Sequence, residues 1–255
     1  MSAEILTIPC LADNYAFLIH NGESGETALV DAPEAAPIIR ALDEKGWSLD
    51  TILVTHHHHD HIGGVAELRE RYGTRVIGAK ADAHRLPPLD IAVAEGDTPS
   101  LAGLPAAILD VSGHTVGHIA AHLPDANAVF TADSLMALGC GRLFEGTAPQ
   151  MWESLQKLAA LPAETLVCSG HEYTAANARF ALSVDPENPA LRQRAEAITE
   201  ARAAGRPTVP STLADERATN PFLRAAEPAI RAHLAMESAS DTEVFAEIRR
   251  RKDSF

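Results

Sequence analysis

At 255 residues with 46% hydrophobic composition, the chain can bury a real core as one large domain or as a domain plus a smaller one. No apolar run approaches the roughly 20 residues of a membrane span. A formal net charge of −14 argues against nucleic acid as a partner, but it leaves room for a small anionic ligand in a locally basic pocket. Three widely spaced cysteines, Cys10, Cys140 and Cys168, make a poor disulfide framework and suit reduced thiols in the cytoplasm. Met1-Ser2-Ala3-Glu4 carries an acid and no basic run, so no signal peptide is expected.

Short apolar runs at 5–8 and 15–19 read as strands joined through a turn at Asp13-Asn14, with a third strand at 28–31. Pro33 opens a helix expected to run through Lys45 and end at Gly46. The β-branched run 49–54 reads as a buried strand. It leads into Thr55-His56-His57-His58-His59-Asp60-His61 and Gly63-Gly64. A helix over 65–71, a strand at 75–78 and a Pro-rich connection follow. Further strands are expected at 106–111, 119–123 and 128–131, then a helix near 150–160 and a strand at 165–168. Many strands with a few interposed helices indicate a layered α/β protein. Past about residue 172 the strand pattern gives way to alanine-rich, charged helical stretches at 175–183, 189–204 and 242–250. The expected organisation is therefore a domain over 1–172 and a small helical domain over 173–255.

The histidine-rich turn carries the chemistry. It sits at the carboxyl end of a strand, where open α/β sheets place ligands, and it is neither terminal nor free of acids, as a purification tag would be. Alternate side chains of an extended turn share a face, so His56 and His58 point together, and His57 and His59 read as supporting residues. With Asp60 and His61, the turn supplies four well-placed ligands. Three more candidates each close an apolar strand: His114 after 106–111, Asp133 after 128–131, and His171 after 165–168. Together they offer five imidazoles and two carboxylates, suitable for two metals and a bridging carboxylate. Such donors suit zinc, iron or manganese. His118 reads as a packing or hydrogen-bonding residue. His20, His84, His122 and His233 lack a comparable context.

The run Arg249-Arg250-Arg251-Lys252 is a dense basic cluster in an acidic chain. Bases at the end of a helix that starts with acids (Ser240-Asp241-Thr242-Glu243) favour the macrodipole. That preference needs one or two charges rather than four.

These motifs resemble the metallo-β-lactamase superfamily: a T-H-x-H-x-D-H turn followed by single His, Asp and His positions. The resemblance extends to glyoxalase II, the hydroxyacylglutathione hydrolases, through Gly139-Cys140-Gly141-Arg142-Leu143-Phe144-Glu145-Gly146-Thr147, Gly170-His171-Glu172-Tyr173-Thr174, Pro210-Ser211-Thr212-Leu213, Thr219-Asn220-Pro221-Phe222-Leu223-Arg224 and the basic ending. It implies a four-layer αββα sandwich with a small C-terminal helical domain. It also implies that His56, His58 and His114 hold one divalent ion, zinc first among the candidates, that Asp60, His61 and His171 hold a second, and that Asp133 bridges them. The implied reaction converts S-D-lactoylglutathione and water to D-lactate and glutathione through a metal-bridging hydroxide, with Asp60 and Asp133 at the catalytic centre, as a step in methylglyoxal detoxification. The substrate-binding residues it implies are Arg142, Phe144, Tyr173, Arg249 and Lys252. Phe144 stands where some members have tyrosine, and Arg142 where others have lysine. The other readings are a lactonase, a β-lactamase or an iron persulfide dioxygenase of the same superfamily, or a metal-binding protein without catalysis. The expected setting is a cytoplasmic monomer acting on a small-molecule glutathione thioester, with no nucleic-acid or membrane partner.

Overall fold

The computed structural model describes residues 3–255 and divides them into two compact units. One comprises the chain up to Asp110 together with Val116–Ala132, the other Val111–Thr115 together with Asp133–Phe255. Met1 and Ser2, part of the stretch read for a signal peptide, lie outside the described residues.

In the first unit, β1 (Glu4–Cys10), β2 (Asn14–His20), β3 (Thr27–Val30), β4 (Thr51–Val54), β5 (Arg75–Ala79) and β6 (Ile91–Val93) form one sheet in that order. The pairs β1–β2 and β2–β3 are antiparallel, and β4, β5 and β6 join in parallel. Parallel neighbours need crossovers. The helix α1 (Ala35–Lys45) makes one of them, and α2 (His59–Ile62) with α3 (Val65–Tyr72) the next. Ile38 and Leu42 of α1 and Leu68 of α3 are fully buried. The predicted stop of α1 is in place: Gly46 takes φ 69° and its N–H donates to the carbonyls of Leu42 and Asp43. The strand β4 is buried along its whole length, as expected of a strand with parallel partners on both sides.

The same unit holds a small hairpin, β7 (Ser100–Leu101) and β8 (Leu104–Pro105), and the antiparallel set β9 (Ala107–Asp110), β10 (Ile119–Leu123) and β11 (Ala128–Ala132). Phe17 of β2 meets Phe130 of β11 edge to face at 5.7 Å. Both rings are buried, each contributing roughly 1.5–3 kcal/mol, so the two sets of strands share one core. The backbone N–H of Ile119 donates to the carbonyl of Thr55 at 3.0 Å, which joins β10 to the start of the histidine turn.

The second unit begins with the hairpin β12 (Leu135–Met136) and β13 (Gly139–Cys140). It continues with α4 (Ala148–Ala159), β14 (Leu166–Ser169), α5 (Thr174–Val184), α6 (Pro189–Ala203), β15 (Ser211–Thr212), α7 (Leu213–Thr219), α8 (Pro228–Leu234) and α9 (Asp241–Asp253). Capping boxes start α4 at Thr147/Gln150 and α9 at Ser240/Glu243. Phe180, Phe222 and Phe245 form its aromatic core, with ring centroids 6.0 and 5.9 Å apart in succession. The sequence reading contains neither β6, β7, β8, β12, β13 and β15 nor α2, α7 and α8. Strands of two or three residues are too short to show a period, and a seven-residue helix spans barely two turns.

Candidate metal centre

In the first unit the predicted ligands are organised by a residue that the sequence reading takes only as the end of a strand. Asp31, just past β3, is buried and has φ 58°. Its Oδ1 accepts the Thr55 backbone N–H at 2.9 Å. Its Oδ2 accepts the Thr55 hydroxyl and the Nδ1–H of His61, both at 2.8 Å. A carboxylate only accepts, so His61 carries its proton on Nδ1 and keeps the lone pair on Nε2. The Thr55 hydroxyl hydrogen is directed at Asp31, so its oxygen accepts from His56 Nδ1 at 3.0 Å, and the His56 lone pair likewise falls on Nε2. That nitrogen lies 3.2 Å from Nδ1 of His58. Asp60 is held through Asn14, whose Nδ2 donates to its carbonyl and to its Oδ2 at 3.0 Å each. Asp60 Oδ2 lies 3.8 Å from His61 Nε2.

The supporting histidines separate from these. His57 turns to Asp82, with Nδ1 2.9 Å from Oδ2, His59 is exposed, and His118 stacks on His56 at 4.5 Å and 15°. The chain can turn this tightly because Gly64 abuts α1: a Cβ there would lie 2.7 Å from the Ala35 nitrogen.

The second unit brings together the other three predicted ligands. Asp133 directs Oδ2 to Nε2 of His114 and Oδ1 to Nε2 of His171, each at 3.3 Å. His114 Nδ1 donates to the carbonyl of Arg142 at 2.9 Å, so its Nε2 presents a lone pair to a carboxylate oxygen. Two acceptors in that arrangement repel unless a cation or a proton lies between them. A carboxylate with one oxygen towards each of two imidazoles fits a bridging metal ligand, and the donor set fits divalent metal ions.

Beside Asp133 and His114 lies a cavity of about 350 Å³, also lined by Arg142, Phe144, Tyr173, Arg249 and Lys252. All five predicted substrate residues therefore border one space. Phe144 packs against His114 at 5.2 Å, and Tyr173 stacks on His171 at 4.6 Å and 7°. The basic run divides by helical phase. Arg249 and Lys252, three apart on α9, share a face and reach the cavity. Arg250 and Arg251 turn to Glu247, whose carboxyl their hydrogen bonds pull down to about 2. Arg249 is buried, donating to the Cys140 carbonyl at 2.9 Å and to Asp253 at 2.8 Å. Partial burial, together with Arg249, Arg179 and Arg142, pushes the Lys252 ammonium down to about 8.

The ligands and strands define the class: residues 12–171 match the metallo-β-lactamase superfamily model, and the chain is a metallo-β-lactamase-fold hydrolase with mixed sheets, helices and a C-terminal helical region. ETHE1 from Myxococcus xanthus is similar in structure, with a TM-score of 0.69 and 26% identity over 98% of this chain and 90% of that one. A di-iron-bound form of TTHA1623 is 30% identical with a TM-score of 0.56, covering 66% of this chain and 91% of its own. Residues 172–255 match the hydroxyacylglutathione hydrolase C-terminus model, and a hydroxyacylglutathione hydrolase of Ruegeria pomeroyi is 69% identical over 100% of both chains. The chain belongs to the hydroxyacylglutathione hydrolases.

Proposed function

We propose that the protein hydrolyses S-D-lactoylglutathione to D-lactate and glutathione, as a step in methylglyoxal detoxification. In this reading His56, His58 and His114 hold one divalent ion, Asp60, His61 and His171 hold a second, and Asp133 bridges them. Zinc is the assigned metal. Residues 1–172 form the catalytic part and 173–255 the part that binds glutathione.

The observation that carries this reading is the cavity of the second unit, where His114 and Asp133 border the same space as Arg142, Arg249 and Lys252. Glutathione brings two carboxylates, and a cationic wall beside the ligand residues suits a thioester with an anionic tail. Lys252 and Arg142 take the carboxylates directly. Arg249, committed to Cys140 and Asp253, adds its charge and holds the wall, and Phe144 and Tyr173 border the acyl–sulfur end. When bound, paired divalent ions lower the pKa of water towards neutrality and polarise a carbonyl.

Burial argues against a covalent route through Cys140, the thiol that lines the cavity. Burial pushes Cys140 up to about 11, so it stays protonated and inert. The leaving thiol has a pKa of roughly 8.5 and departs as thiolate without a strong general acid. Three free, buried cysteines support a reducing, cytoplasmic setting. No helix among the described residues is long and apolar enough to cross a membrane. The protein acts as a monomer in this reading.

The test is hydrolysis of S-D-lactoylglutathione by purified protein, beside a lactone and a β-lactam, before and after chelation. Chelator-sensitive turnover of the thioester alone is expected. Turnover of the lactone or lactam in its place overturns the substrate assignment.

A further inference from the structure

Two sequence motifs, Pro210-Ser211-Thr212-Leu213 and Thr219-Asn220-Pro221-Phe222, contain none of the predicted ligands and none of the residues that line the cavity, yet they converge on the hairpin β12–β13. Its two-residue turn, Ala137-Leu138, is buried, and Leu138 has φ 55°, a left-handed conformation unfavourable for leucine. A buried turn must have its backbone groups satisfied, and here side chains from the helical elements do so. Glu216 Oε2 accepts the Leu138 N–H at 2.9 Å. Asn220 Nδ2 reaches the carbonyls of Met136 and Gly139 at 3.1 and 3.0 Å, and Glu216 Oε2 at 3.0 Å. Asn177 donates to the Ala137 carbonyl at 3.0 Å. Glu216 and Asn220 are themselves fully buried. On its other oxygen Glu216 accepts from Ser211 at 2.6 Å and from Arg194.

The same hairpin and the residues after it form the cavity wall. Met136, Cys140, Gly141 and Arg142 line the cavity, and the Cys140 carbonyl holds Arg249. The Gly141 N–H donates to the Ser134 carbonyl at 3.1 Å. His114 is tied separately as well, its carbonyl accepting the Phe144 N–H at 3.2 Å.

We infer that Glu216 and Asn220 are positioning residues for substrate recognition: by gripping the turn at Ala137-Leu138 they hold the Gly139–Arg142 wall against the glutathione moiety without touching it. The inference rests on the proposed glutathione reading and assigns specificity to a buried polar hub outside the ligand shell.

The test is Asn220→Ala, with KM and kcat measured for S-D-lactoylglutathione and for a small lactoyl thioester lacking glutathione. Hydrogen exchange over 133–142 and metal content are read on the same samples. A KM for the glutathione thioester at least tenfold higher, kcat within threefold, an unchanged small thioester and faster exchange over 133–142 are expected. Glu216→Gln, which keeps an oxygen for the Leu138 N–H but turns an NH2 towards Arg194 and Ser211, should raise KM less than Glu216→Ala. Where Asn220→Ala does not fold, Ser211→Ala removes a single bond to Glu216 and gives the same pattern in weaker form. Unchanged exchange, or equal losses on both thioesters, overturns the inference. Failure of the substrate reading is separate: it appears as wild-type protein that does not turn over the glutathione thioester, while exchange still reports on the hub.

Discussion

Asp31→Asn separates the orientation of a ligand from its identity. The exchange preserves shape, and asparagine tolerates the left-handed backbone at this position (φ 58°), so little strain is added. An amide, however, has one acceptor end and one donor end, whereas the carboxylate accepts from Thr55 N, Thr55 Oγ1 and His61 Nδ1. With the amide oxygen kept towards the Thr55 N–H, the NH2 faces His61 Nδ1. The imidazole must then accept there, and its proton moves to Nε2, the nitrogen needed for metal. A hydrogen bond to a charged group contributes about 1.5–3 kcal/mol, and losing such an orienting partner costs roughly 10–100-fold in metal affinity, about 1.4–2.7 kcal/mol. Competition with a chromophoric chelator gives the two stepwise constants. The constant for the ion proposed to bind His61 should weaken by that factor, and the other should weaken less. Wild-type affinity at both positions in Asp31→Asn would refute the assignment of the His61 proton to Nδ1.

Three further outcomes follow from the second unit. Lys252, held down to about 8, is cationic below that pH and neutral above it, so KM for the anionic thioester should rise as pH passes through about 8. Lys252→Met should raise KM about 10–100-fold, the range of a charged hydrogen bond, and remove that step from the pH profile of KM. Phe144 is 63% exposed, so Phe144→Tyr adds a hydroxyl without repacking; KM should fall about two- to fivefold with an unchanged melting temperature. At Gly141 a Cβ would lie 1.9 Å from the Asp133 carbonyl oxygen, so Gly141→Ala should cost at least about 3 kcal/mol. Calorimetry should then show a melting temperature lower by about 6–12 °C or no folded protein.

What the sequence disclosed was mainly local. The β-branched run before Thr55 marked β4, and His56 follows it directly. Gly46 marked the end of α1. The basic run showed its excess charge, and the resemblance named Arg249 and Lys252 within it; what turns Arg250 and Arg251 away is Glu247, which pairs with both. Asp31 was within reach of the same reasoning that singled out Asp133. Both close an apolar strand, but only the fold shows that Asp31 faces Thr55 and His61.

The orienting contacts were hidden for a single physical reason. Reading periodicity and caps works over windows of 11–18 residues, whereas Asp31 and His61 are 30 residues apart, Asn14 and Asp60 are 46, and Leu138 and Glu216 are 78. Residue type alone announces a ligand, because few side chains can bind a metal. Which nitrogen of that ligand holds the lone pair is set by a partner that only the fold supplies. The imidazole of His114 makes the point: its spacing after a strand marked it, but its Nε2 presents a lone pair to Asp133 because the Arg142 carbonyl, 28 residues on, accepts a hydrogen bond from Nδ1–H. That carbonyl belongs to the segment whose turn Glu216 and Asn220 hold, so the geometry of a ligand and the shape of the cavity wall depend on one short piece of backbone.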